Sequence, residues 1–157
     1  MYRSHQETPN LKNEPRRIPK YDLEDRLIEF AVQIISLAES LPTSRTGTHM
    51  TNQLIRSGTS PALNYGEAQS AESRNDFIHK LKIVLKELRE TSISLKIIQR
   101  AVLEDSDRKS TSCLKECREL IAIVAQSLVT AEAKKKRSLN NETAFTLPGQ
   151  FPMSNTQ

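Results

Sequence analysis

The stretch from Phe77 to Val102 leaves the chain few options. At ~100° per residue, Phe77, Leu81, Val84, Leu88, Leu95, Ile98 and Val102 fall within one narrow stripe of a long helix. Such a helix is stable in water only when its apolar edge is buried against partners. That stripe needs partner helices.

Three further amphipathic stretches supply them. Asp22 is a good N-cap and Pro42 closes the helix that follows. Between them Leu23, Leu27, Phe30, Ala31, Ile34, Leu37, Ala38 and Leu41 form a continuous apolar stripe. A polar connection at 43–48 containing Gly47 leads to a second helix from about Thr48 to Gln69, with Leu54, Gly58, Ala62 and Tyr65 inward. Pro61 interrupts this segment. Either the helix is kinked after Ser57, or Ser60 caps a new helix with Pro61 in its first position. Ser73 and Asp76 have the spacing of a capping box and start the third helix. After an acidic turn at 104–109, a fourth helix runs from about Ser110 to Lys136, burying Cys113, Cys117, Leu120, Ile121, Val124, Leu128 and Ala131.

Four amphipathic stretches joined by short turns predict an all-α, antiparallel, left-handed up-down-up-down four-helix bundle spanning residues 21–137. A chain of 157 residues provides one such core, not two. Hydrophobic residues make up 36% and aromatic residues 4%, and the shortage sits at the ends. Residues 1–20 hold Pro9, Pro15 and Pro19 among polar residues, with Arg16, Arg17 and Lys20 as a basic cluster, and read as a flexible arm. Residues 138–157 read as a disordered tail. With no signal-like or membrane-spanning apolar run, and both cysteines on one apolar helix face, the expected setting is a reduced cytoplasm without membrane contact.

The polar residues are patterned too. Arg56, Ser60, Asn64 and Glu67, at spacings of four, four and three, share one face of the second helix. R-S-G-T-S-P-A-L-N-Y-G-E-A at 56–68, followed by D-F-I-H-K-L-K-I-V-L-K-E-L-R-E-T at 76–91, resembles the bacterial four-helix-bundle proteins first noticed as products of intervening sequences in large-subunit ribosomal RNA genes. The resemblance spans roughly residues 21–130. In that family an Arg, a Ser, an Asn and a Glu recur on the second helix and a Glu on the third, matching Arg56, Ser60, Asn64, Glu67 and Glu90 here. Lys86 and Glu87 stand where the commoner pattern has small residues before Leu88. Relatives include the accessory variability protein of diversity-generating retroelements, a pentameric barrel that binds nucleic acid and a reverse transcriptase. The resemblance therefore implies a pentamer and, as partners, nucleic acid, a reverse transcriptase or the ribosome.

Two surface patterns bear on function directly. Ile28, Val32 and Ile35 form a second apolar stripe opposite the first on the opening helix, a candidate oligomer interface. On the third helix Lys82, Lys86, Arg89, Lys96 and Arg100 form a basic ridge roughly 27 Å long at ~1.5 Å rise per residue. Lys134, Lys135, Lys136 and Arg137 add a cationic run, placed at a helix end where the dipole favours it. The plain alternative is a solvated helix back with pairs such as Lys86 to Glu90. Ile93 and Ile97 interrupt the ridge, and apolar residues among cations suit an interface. A net charge of +4, from 23 Lys and Arg against 19 Asp and Glu, permits RNA or DNA as a partner without requiring it.

Catalytic patterns are missing. There is no phosphate-binding glycine loop, nucleophile elbow or Glu-x-x-His pair. Cys113 and Cys117 are one turn apart, but His5, His49 and His79 are not spaced to complete a metal site. No cofactor or metal is expected. The reading is a non-enzymatic accessory protein that binds nucleic acid by shape and charge. A protein-interaction scaffold without nucleic acid is the alternative, and RNA and DNA binding at low and high salt separates the two.

Overall fold

The structure is a computed structural model, which describes residues 23–101 and 107–145. The expected cap at Asp22, the basic arm, Val102, the turn residue Glu104 and the last twelve residues lie outside the described residues. Four helices follow one another: α1 (Leu23–Glu39), α2 (Arg45–Gln69), α3 (Arg74–Arg100) and α4 (Asp107–Phe145). Each packs on its sequence neighbours, and α1 closes against α4 through the thinnest of the four seams. The run is antiparallel. Glu67 reaches Lys80 while Gln53 and Arg56 reach Glu90, so α3 descends as α2 rises.

Periodicity in the sequence accounts for the core. Leu27, Phe30, Ile34 and Leu37 of α1 meet Leu54 of α2, Leu81, Val84, Leu88, Leu95 and Ile98 of α3, and Cys117, Leu120 and Val124 of α4, all fully buried. Ala62, Tyr65, Phe77 and Ile121 were expected inside and are half-buried against this core. Ser73 accepts from the Asp76 backbone N–H at 3.1 Å, the expected start of α3. The second helix begins three residues earlier than its sequence suggests, because Ser44 accepts from the Gly47 N–H and caps it. Gly47 tucks under the preceding loop so closely that a Cβ would stand 1.8 Å from the Pro42 carbonyl oxygen.

Of the two readings of Pro61, the single helix is observed: α2 is continuous through it, and Ser60 starts no new segment. Thr59 donates to the Ile55 carbonyl at 2.8 Å, and Asn64 donates to both the carbonyl and hydroxyl of Ser60 at 3.0 Å. A second correction concerns α4. It continues to Phe145, so residues 138–145, expected as tail, are helical. The run Lys134–Arg137 therefore lies in the helix interior, two turns from its end, and the argument from the C-terminal dipole does not hold.

Candidate nucleic-acid interface

All five ridge cations, Lys82, Lys86, Arg89, Lys96 and Arg100, are exposed along the outer side of α3. They do not form one uniform strip. Lys82 at the α4 end is held by Glu132 across the α3–α4 seam at 2.8 Å. Lys86 lies 3.9 Å from Glu87 instead of pairing with Glu90 as its spacing suggests. Glu90 turns the other way, accepting from Gln53 and from Arg56 at 2.7 Å. Among the described residues, no carboxylate stands within ion-pair distance of Arg89, Lys96 or Arg100. These three, with Lys86, present the charge most open to a phosphate backbone. Ile93 and Ile97 between them are 58% and 47% exposed, so the ridge carries an apolar strip in its middle.

The polar positions of α2 line the α2–α3 seam. Arg56 binds Glu90, Glu67 binds Lys80, and Asn64 holds Ser60. Glu67 raises the Lys80 pKa mainly through this hydrogen bond. Every member of the set thus has an intramolecular partner, and two of them, Arg56 and Glu67, tie α2 to α3. Beside it lies a group that periodicity does not reveal: Ser57, Glu87, Thr91 and Ser94 are buried. Glu87 is a charged residue at a core-facing position. The Ser57 hydroxyl is the one buried side-chain polar atom without a partner among the described residues.

At the thin α1–α4 seam, Arg26 grips Glu116 with two nitrogens, one at 2.9 Å from Oε2, and reaches Glu119 as well. The Glu116 hydrogen bond, ahead of the opposing effect of burial, raises the Arg26 pKa above its ordinary value. This clamp was not anticipated. An acidic i, i+3 pair on α4 and an Arg one residue before the core Leu27 were its only sequence signals. On the same helix, Ile28, Val32 and Ile35 are 47%, 53% and 41% exposed, and Val32 borders a shallow cleft against Lys109 and Cys113 of α4. The candidate interface residues therefore share one uncovered face.

The cationic run on α4 is exposed at Lys134, Lys136 and Arg137 and half-buried at Lys135. Lys134 lines a cleft of about 620 Å³ with Arg74 and Phe77 at the start of α3. Among the described residues no group of three or more His, Cys, Asp and Glu could hold a metal ion. Cys113 and Cys117 are buried and not joined in a disulfide. Cys117 donates to the Leu88 carbonyl at 3.2 Å, and burial pushes its pKa up to about 12. No described helix is long and apolar enough to cross a membrane.

Residues 20–126 match the model of the 23S rRNA-intervening sequence protein family. The chain belongs to this family. A solved relative agrees: a protein of unknown function from the S23 ribosomal protein family of Bacteroides thetaiotaomicron is 34% identical, covering 68% of this chain and 98% of its own, at a TM-score of 0.63. None of the proteins with curated descriptions matches. The matched region takes in α1 to α3 and about half of α4, so the polar set, the ridge and the uncovered face of α1 all belong to the family domain. The run Lys134–Arg137 lies beyond it.

Proposed function

We propose that this chain is a non-enzymatic, oligomeric accessory protein that binds structured nucleic acid through its basic surfaces. The observation that carries the proposal is the outer side of α3, where Arg89, Lys96 and Arg100 stay exposed with no ion pair among the described residues, while Glu90 of α3, Glu67 of α2 and Glu132 of α4 are drawn into pairs elsewhere. Each phosphate neutralised releases condensed counterions, so a few cations repeated by symmetry add up where one set would bind weakly. The family's description ties it to intervening sequences of 23S rRNA, which makes helical RNA the first probe. A five-fold assembly, and a ribosomal or reverse-transcriptase partner, are what the family resemblance adds.

The test is anisotropy with a duplex RNA at roughly 50 and 200 mM salt, a range over which phosphate-driven binding falls steeply. Reversing Lys86, Arg89 and Lys96 to Glu should abolish retention without altering oligomer mass. Lys82 is spared because its reversal would place two carboxylates together at Glu132. Binding that is absent in the wild type, or equal in the variant, removes this surface. The scaffold reading has its own support in Ile93 and Ile97, exposed within the ridge. It wins if the assembly forms and no RNA or DNA is bound.

A further inference from the structure

A second cationic surface lies at the end of the bundle where α2 turns into α3. The cleft there has a volume of about 620 Å³, within the range of roughly 300–1,000 Å³ found for small-ligand pockets. Three elements build it. The end of α2 gives Gln69, the first turn of α3 gives Arg74 and Phe77, and α4 gives Gln126, Thr130 and Lys134.

We propose that this cleft takes one nucleotide unit, its base against Phe77 and its phosphate between Arg74 and Lys134. Phe77 is half-buried, packed on the core while lining the cleft, so its ring is a fixed surface. Aromatic rings of this kind stack any base, because every base has a π-face. Arg74 and Lys134 are exposed and come from different helices, so two helices each contribute a cation to the cleft lining. Gln69 and Gln126 offer amide donors and acceptors suited to a base edge. The Thr130 hydroxyl already donates to the Gln126 carbonyl at 3.0 Å, leaving its lone pairs as acceptors. Nearby carboxylates are partly neutralised within the protein: Glu67 is held by Lys80 and Glu132 by Lys82, with Glu72 and Asp76 left as the opposing charges. The same chemistry is offered by a free nucleotide and by an unstacked nucleotide in a strand. The strand form rests on the nucleic-acid reading above; the free form stands without it.

Nuclear magnetic resonance titrations of the full chain with adenosine monophosphate, uridine monophosphate, a uridine octamer and a mixed-sequence RNA duplex separate these forms. Resonances of Phe77, Gln126 and Thr130 should move with the ligand that occupies the cleft. Phe77→Leu should weaken the octamer about tenfold and leave the duplex unaffected. The double variant Arg74→Gln with Lys134→Gln, at exposed positions, should lower the octamer's salt slope by about 0.7, the share of the one single-strand phosphate held between them. Occupancy by the monophosphates at micromolar concentration supports the free form, and occupancy by the octamer alone supports the strand form. If neither moves these resonances, or the octamer binds both variants as it binds the wild type, the cleft is not a nucleotide site, even where the duplex still binds the ridge. If no nucleic acid binds but a monophosphate fills the cleft, the functional reading above falls and this site remains.

Discussion

Single atoms decide several features of this bundle. At Gly58, α1 and α2 approach so closely that a Cβ would stand 2.4 Å from Ile34 Cγ2. Replacing a helix-interior glycine with alanine ordinarily gains up to about 1 kcal/mol, yet here the added methyl must displace a fully buried isoleucine. We predict that Gly58→Ala lowers stability by about 1–3 kcal/mol in urea unfolding; a gain would mean that the helices part easily. Leu88 is fully buried at the centre of the α3 stripe. Truncation to Ala should cost about 2–5 kcal/mol, because the surrounding side chains cannot collapse into the space, and a loss below about 1 kcal/mol would place Leu88 outside the core. Cys117 makes a third case. Its thiol is raised to about 12 by burial, so the folded state holds the proton more tightly than the unfolded chain, whose thiol titrates near 8.5. This contribution to stability is complete below that lower value and is lost as pH rises through 12. A thiol reagent at pH 8 should label Cys117 only after denaturant is added, and rapid labelling of the native protein would contradict its burial.

At the scale of helices, what could be read from the sequence was whatever a period of 3.6 encodes. The stripes of Leu27, Ile34, Leu81, Leu88, Leu120 and Val124 became the core, and the Ser73 cap gave the start of α3. Boundaries moved where the period does not reach: Ser44 captured the Gly47 N–H and began α2 early, and α4 starts at Asp107 instead of about Ser110 and runs through its cationic run to Phe145. The exposed positions of the ridge and of the second α1 stripe were equally legible, since one face of a helix must be outside. Pairings between helices were not. Whether Glu90 serves Lys86 or Arg56 depends on the rotation of α2 against α3, which no periodicity within one helix contains. The Arg26 clamp was hidden for the same reason, and it carries a prediction. Surface ion pairs contribute little, but Arg26 and Glu116 are only 18% and 25% exposed and bonded twice, at the seam where α1 has the least other contact with α4. Arg26→Ala should cost about 1.5–3 kcal/mol, the range for hydrogen bonds to charged groups. Arg56→Ala, at a side chain 66% exposed, should cost less than about 1 kcal/mol. Equal losses would show that the thin seam has no special need of its clamp.

For the whole molecule, one face is unaccounted for by a single copy. Ile28, Val32 and Ile35 point away from the core that Leu27, Phe30 and Ile34 enter, and none of the four helices covers them. Isolated exposed apolar residues are ordinary, whereas three in register on a helix flanked by a cleft make a strip that favours association. A second copy is the economical partner, since symmetry would cover the same strip on every subunit and hold the basic ridges at fixed spacing. Changing Val32 to Glu places a charge in the middle of that strip while touching no core contact, as Val32 is 53% exposed. We therefore predict that Val32→Glu dissociates the assembly at micromolar concentration, as sedimentation would report, with the helical circular dichroism of the monomer preserved. RNA retention should weaken in parallel, because a monomer offers the phosphate chain one ridge where the assembly offers several. A wild type that sediments as a monomer removes the assembly. A dissociated variant that binds RNA as tightly as the wild type would keep the assembly but separate it from binding, placing the affinity in one subunit's own ridge.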